Sequence, residues 1–232
     1  MDEFLIGMGI VAIYFIIAAS TVLLCRKLFK IPNEIFRKIL HFILLGSALV
    51  FVYAFKNWWI AVIACIVFVV IVYPILMCLE RIKKYSEFVT ERKKGELKNS
   101  LIFVFLMFAI VISICFGIFK DRLLALASIY AWGFGDALAA LIGTKFGKHK
   151  LYKKKSYEGT IAMFITAFIS VLVILLIRGN VPWYFVCLVS FVTALSSTAT
   201  ELFTPNGYDT ITCPIASMIS MLLALFICGG LM

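Results

Sequence analysis

The sequence predicts an all-α protein that crosses a membrane about eight times, and three observations predict it. Of 232 residues, 64% are apolar and 15% charged, with a mean hydropathy of +1.09, whereas a water-soluble domain runs at roughly 45–50% apolar and about 25% charged. The apolar residues gather into eight runs of near-membrane length, and the basic residues gather into alternate loops between them. A cytosolic enzyme, a disordered chain and a secreted disulfide scaffold are thereby excluded. At about 20 residues per helical span, eight spans take roughly 160 residues. The expectation is one transmembrane domain over residues 1–232, with no room for a second, soluble one.

The first run, at 4–25, follows Asp2 and Glu3 rather than a basic segment, and Arg26-Lys27 come after it, as in a retained helix rather than a cleaved signal peptide. The second and third, at 39–55 and 58–79, are separated only by Lys56-Asn57. One long kinked helix, and seven spans in all, is the alternative there. The segment Glu80 to Ser100 mixes both charge signs and is expected to include an interfacial or protruding helix. The remaining runs fall at 100–119, 123–142, 160–177, 183–203 and 211–231, with boundaries open by several residues.

All but four of the 22 basic residues (Lys56, Lys120, Arg122 and Arg178) lie in the first, third and fifth loops. The positive-inside rule then places the odd loops in the cytoplasm and both termini outside. The net charge of +10 therefore belongs to loops beside a bilayer and to anionic phosphates, not to nucleic acid. The seven cysteines stand singly in or beside apolar runs, with no C-x-x-C pair, and read as small buried residues. With only His41 and His149 in the chain, a histidine-rich metal site and a haem are both disfavoured.

A charge inside a span costs about 2.5–3.5 kcal/mol at mid-membrane on insertion scales, so each one asks for a reason. Asp136 sits within G-F-G-D-A-L-A-A-L-I-G-T-K-F-G-K, Glu158 opens the sixth span in K-K-K-S-Y-E-G-T, and Glu201 and Asp209 bracket the seventh loop in E-L-F-T-P-N-G-Y-D. On the topology above, all four acids fall at the cytoplasmic face, Asp136 about two turns below the boundary. Independent placement would scatter them over both sides.

Asp136, Ala140, Gly143 and Gly147 share one helix face by i, i+4, i+7, i+11 spacing. Two readings stay open: helix packing through Ala139-x-x-x-Gly143-x-x-x-Gly147, and close approach of a phosphate chain to backbone N–H groups. Lys145, Lys148 and Lys153 to Lys155 follow within reach as donors to phosphate oxygens, or simply as a topology signal. Ser190, Ala194, Ser197 and Glu201 share a face of the seventh helix, and Glu201 with Asp209 and Asp136 makes a candidate divalent-cation site. A salt bridge from Glu201 to a loop lysine is the plainer alternative. In E-I-F-R-K-I-L-H-F, Arg37 and Lys38 stand at the membrane boundary, and His41 reads as a packing residue.

Taken together, R-K-I-L-H-F, then G-D-A-L-A-A-L-I-G-T-K-F-G-K with K-K-S-Y-E-G-T, and E-L-F-T-P-N-G-Y-D-T-I-T-C-P resemble the CTP-dependent lipid-alcohol kinases. That family includes dolichol, phytol and farnesol kinases and the fungal-type CTP-dependent diacylglycerol kinase, and the resemblance covers roughly residues 34–215. It implies a polytopic enzyme that transfers the γ-phosphate of CTP, with Mg2+ or another divalent cation, to a hydrophobic alcohol at the cytoplasmic leaflet. Arg37, Lys38, Asp136, Gly143, Gly147, Lys155, Glu158, Glu201 and Asp209 match the family's motif residues; Thr210 stands where a member often has Asn.

On that resemblance Asp136 and Asp209 hold the metal, and Glu201 holds it or orients the lipid hydroxyl. Arg37, Lys38 and Lys155 clamp phosphates, with Lys145, Lys148, Gly143 and Gly147 in the nucleotide site, and Glu158 acts in catalysis or positions the lysines. The middle block is also similar to phosphatidate cytidylyltransferase, which attacks the α-phosphorus instead. That enzyme's long signature P-G-H-G-G-x-x-D-R-x-D is missing after Asp209, which ranks it second. A lipid transporter is the alternative from another class, since acids within spans also mark ion or substrate paths. A scaffold without catalysis explains the basic loops but not Asp136.

Overall fold

The computed structural model describes residues 2–29, 31–81, 95–153, 155–205 and 207–231. Eight helices are long and apolar enough to cross a membrane: α1 (Asp2–Leu28), α2 (Asn33–Tyr53), α3 (Trp58–Leu79), α4 (Glu96–Val111, continued by a π-helix over Ile112–Ile118), α5 (Arg122–Phe146), α6 (Tyr157–Arg178), α7 (Trp183–Phe203) and α8 (Asp209–Ile227). A short hairpin of β1 (Lys150–Tyr152) and β2 (Lys155–Ser156) joins α5 to α6. The chain is a multi-pass, all-α membrane protein, and two compact units divide it, Met1–Ile110 and Val111–Met232.

In the first unit the break between α2 and α3 is a true corner, which resolves the choice between seven helices and eight. Glu3 holds it: the backbone N–H groups of Lys56 and Asn57 donate to Oε1 at 2.7 and 3.0 Å, and the Asn57 amide donates to Oε2 at 2.9 Å. In hydrocarbon, apolar burial gives helices little reason to associate, so close packing and hydrogen bonds must. The unit supplies both. Phe105 meets Phe51 and Phe108 edge-on and Phe68 at a tilt, with ring centroids 5.3, 5.4 and 4.8 Å away, contacts worth about 0.5–1.5 kcal/mol each. The Tyr14 hydroxyl donates to the Ile43 carbonyl at 2.7 Å. Gly7 is required because any side chain there would overlap the Phe55 ring.

Most helices begin before their apolar run does. Asn33 starts α2 directly after Pro32, so Arg37 and Lys38, expected in a loop, lie in its first turns. The expected interfacial helix between Glu80 and Ser100 falls largely on residues 82–94, outside the described residues; flanking them, Lys98 pairs with Glu80 at 2.7 Å.

In the second unit α5 packs on α6, α6 on α7, α7 on α8, and α8 closes the ring on α5. The core is Leu124, Ile129, Met163, Leu175, Val189 and Met221, all fully buried. Asp121 caps α5 by accepting from the Leu123 and Leu124 N–H groups, and its other oxygen binds Arg178 Nε at 2.5 Å at the end of α6. Ile161, Ile165, Ile169 and Leu176 form an exposed stripe on α6 that suits acyl chains. The far end of α5 runs four residues beyond the expected 142, to Phe146. Asp136 consequently lies about 15 Å, nearly three turns, from that end rather than two.

Candidate active site

The α5–α6 connection is built by short polar contacts. Ser156 caps α6 by accepting from the Gly159 N–H at 3.2 Å. In the first turn of the helix, Glu158 Oε1 accepts from the N–H groups of Lys148 and His149 at 3.2 and 3.4 Å and contacts His149 Nδ1 at 3.0 Å. The Tyr157 N–H donates back to the His149 carbonyl at 3.0 Å. A carboxylate at a helix N-terminus is favoured by the dipole, and here it also fixes the loop that precedes the hairpin. Glu158 therefore holds the 148–149 backbone, while Lys145 and Lys148 themselves are exposed.

The hairpin carries Lys155 to the C-terminal end of α7. Its ammonium pairs with Glu201 Oε1 at 2.7 Å and also donates to the Glu201 backbone carbonyl. Both side chains are largely buried, at 19% and 10% exposure. Asp209, the first residue of α8, accepts from the Gly207 and Thr210 N–H groups at 3.1 Å each. It also lies within electrostatic reach of Asp136 on α5 and of Lys155. Four elements, α5, β2, α7 and α8, thus bring three acids and one lysine to one end of the second unit. Asp121 and Arg178 mark the other end.

Gly143 and Gly147 serve the close approach of α5 to α6. A Cβ on Gly143 would stand 3.3 Å from Ser156 Oγ and 3.7 Å from the Gly159 Cα, and one on Gly147 would overlap the Gly143 carbonyl and approach Ser156 Oγ to 2.7 Å. Of the two readings of this stripe, the geometry supplies contacts for the packing one. Arg37 and Lys38 belong to the first unit; Arg37 pairs with Glu34 at 3.2 Å, and Lys38 is buried at 7% exposure.

Among the described residues, no group of three or more His, Cys, Asp or Glu side chains is arranged to hold a metal ion. Glu201 is engaged by Lys155. Asp136 and Asp209 feel each other's charge, and a pair of that kind suits Mg2+, which binds through one or two carboxylates plus substrate phosphates rather than an all-protein cage.

Two residues of this region, Cys213 and His149, escaped the sequence reading. Cys213, one turn after Asp209, is buried within electrostatic reach of Asp209, Glu201 and Lys155; cysteines in apolar runs look alike, and only its place in T-I-T-C-P beside an acid set it apart. His149 gave no signal beyond its neighbours. Ser156 and Gly159 were visible as S-Y-E-G, a helix start in which serine caps and the glycine admits another helix.

Compared with known proteins, the chain is similar to a phytol kinase of Synechocystis sp., 27% identical over 229 residues that cover 91% of this chain and 88% of that protein. The similarity bears out the lipid-alcohol kinase resemblance of the motifs and extends it along nearly the whole length. No family model matches the chain. No solved structure matches it either.

Proposed function

We propose that this chain is a membrane-embedded kinase that transfers the γ-phosphate of CTP to the hydroxyl of a lipid alcohol (a polyprenol, a phytol-like alcohol or diacylglycerol) at the cytoplasmic face. The observation that carries the reading is the convergence of Asp136, Lys155, Glu201 and Asp209 at one end of the α5–α8 ring. The phytol kinase similarity supports the acceptor class, and the motif resemblance supports the nucleotide.

Phosphoryl transfer asks a protein mainly for positioning and charge neutralisation. Lys155, its ammonium steered by Glu201, neutralises charge on the transferring phosphate. The ion pair uses Glu201 Oε1, and Oε2 accepts the hydrogen bond of the lipid hydroxyl. As the lipid oxygen bonds to the γ-phosphorus and the bond to the bridging oxygen breaks, that carboxylate oxygen takes the hydroxyl proton and CDP leaves. Asp136 and Asp209 would hold a Mg2+ ion, which would supply positive charge to offset that of the phosphates. Glu158 is a positioning residue that keeps the backbone of Lys148 and His149 against α6. Arg37 and Lys38 carry their phosphate-binding assignment from R-K-I-L-H-F alone.

The test is purified protein in bilayers with CTP labelled at the γ- or the α-phosphorus and a panel of lipid alcohols. Label from the γ position is expected in the lipid, and label from the α position is not. Label from the α position with phosphatidate required would replace this reading with a cytidylyltransferase. Label from neither would favour a transporter.

A further inference from the structure

The β-hairpin presents a basic and aromatic surface that the proposed chemistry does not use. No acidic residue occurs from Ala137 to Tyr157. Lys150 and Tyr152 lie on one face of β1 and are exposed, while Leu151 between them is half-buried on the other. Lys153, in the turn with a left-handed φ of 49°, holds its ammonium 5.0 Å from the Tyr152 ring centroid. That ring packs edge-on against Phe203 at 5.7 Å, and Phe203, at the end of α7, is itself 66% exposed. Lysines and aromatic rings interleaved in this way, at the end of membrane-spanning helices, are what the headgroup layer accommodates: rings with an apolar body and a wet edge, and cations over the phosphates.

We propose that the hairpin face formed by Lys150, Tyr152 and Lys153 docks on the anionic phospholipid headgroups of the leaflet at this end of the helices. Charge complementarity selects the occupant. Each lysine close to an anionic surface contributes attraction worth roughly a fivefold change in binding, and salt screens it. Glu158 and the Tyr152–Phe203 contact order the hairpin, so the lysines are offered together. Lys155, turned to Glu201, takes no part. This docking does not depend on which reaction the site performs.

The full chain is placed in nanodiscs of neutral phosphatidylcholine, or of the same lipid with about one-third phosphatidylglycerol, and hydrogen exchange is followed across residues 150–156. Exchange is expected to slow roughly fivefold or more in the anionic bilayer, and the difference to vanish in the K150Q/K153Q variant and at high salt. Equal exchange in the two bilayers would overturn the proposal, as would a difference that survives K150Q/K153Q. So would protection by Mg-CTP in the neutral bilayer with no effect of lipid, which would give these lysines to a free nucleotide instead.

Discussion

Lys155 and Glu201 stand 46 residues apart in the chain, yet their side chains meet at 2.7 Å. Breaking such a largely buried pair leaves a charge without its partner, a loss far larger than the pair's net worth. If the pair acts as one unit in aiming the ammonium, K155M and E201Q should each lower kcat by about a hundredfold, the scale of removing one preorganised charge donor. The K155M/E201Q double variant should then be no worse than E201Q alone, which loses the proton acceptor together with the aim of the lysine. A double-mutant cycle on kcat checks this; effects that multiply would mean that the two residues act separately.

Asp121, the N-cap of α5, and Asp136, in its interior, are the same residue type, and they should answer differently to Asn. D121N removes the charge opposite buried Arg178, so it should lower the melting temperature with little change in turnover. D136N should leave melting nearly intact and lose turnover by about a thousandfold. Paired thermal and kinetic measurements on purified protein distinguish them.

The glycines separate packing from nucleotide binding. A Cβ on Gly159 would stand 3.0 Å from the Ala139 carbonyl oxygen, a backbone atom, and one on Gly143 would be 3.3 Å from Ser156 Oγ, a side-chain atom whose movement costs only the α6 cap. G159A should therefore destabilise by about 1–3 kcal/mol and G143A by less, both with an unchanged KM for CTP. A raised KM for CTP in G143A, with melting unaltered, would restore the phosphate-cradle reading.

The fold was legible because span length and apolar content are bulk properties: the eight expected runs coincide with α1–α8 to within a few residues at most ends. Helix ends were harder to read, since Asp121, Ser156 and Pro32 begin helices outside the apolar runs by capping or by backbone angle. The π-helical end of α4 has no composition signature in I-S-I-C-F-G-I. At the site, the acids stood out because charge in a span is costly. Of their partners, only an unspecified loop lysine for Glu201 was legible, and Lys155 is that lysine; which lysine it is, and the Glu158–His149 contact, depend on where a two-stranded hairpin folds.

Orientation can be tested directly. With the basic residues biased to odd loops and eight spans, tags at the two ends of the chain should both be reached from outside, and a K150C thiol should react only from the cytoplasmic side. Reaction of K150C from outside would invert the arrangement and place the proposed nucleotide site away from the cytoplasm.

The metal assignment makes the narrowest claim about the acids. Asp209 lies within reach of both Asp136 and Lys155, and two neighbouring carboxylates repel unless a cation lies between or beside them. The proposed Mg2+ would add its charge to that of Lys155 beside the Asp136–Asp209 pair. Chelation by EDTA should therefore abolish turnover, and D136N and D209N should each raise the Mg2+ concentration needed for half-maximal rate. E201Q should lower kcat with that requirement unchanged, because its carboxylate holds the lysine. A Mg2+ titration of the three variants reads the difference. An E201Q requirement that shifts as far as that of D209N would return Glu201 to the ligand set, and full activity in chelator would remove the metal from all three.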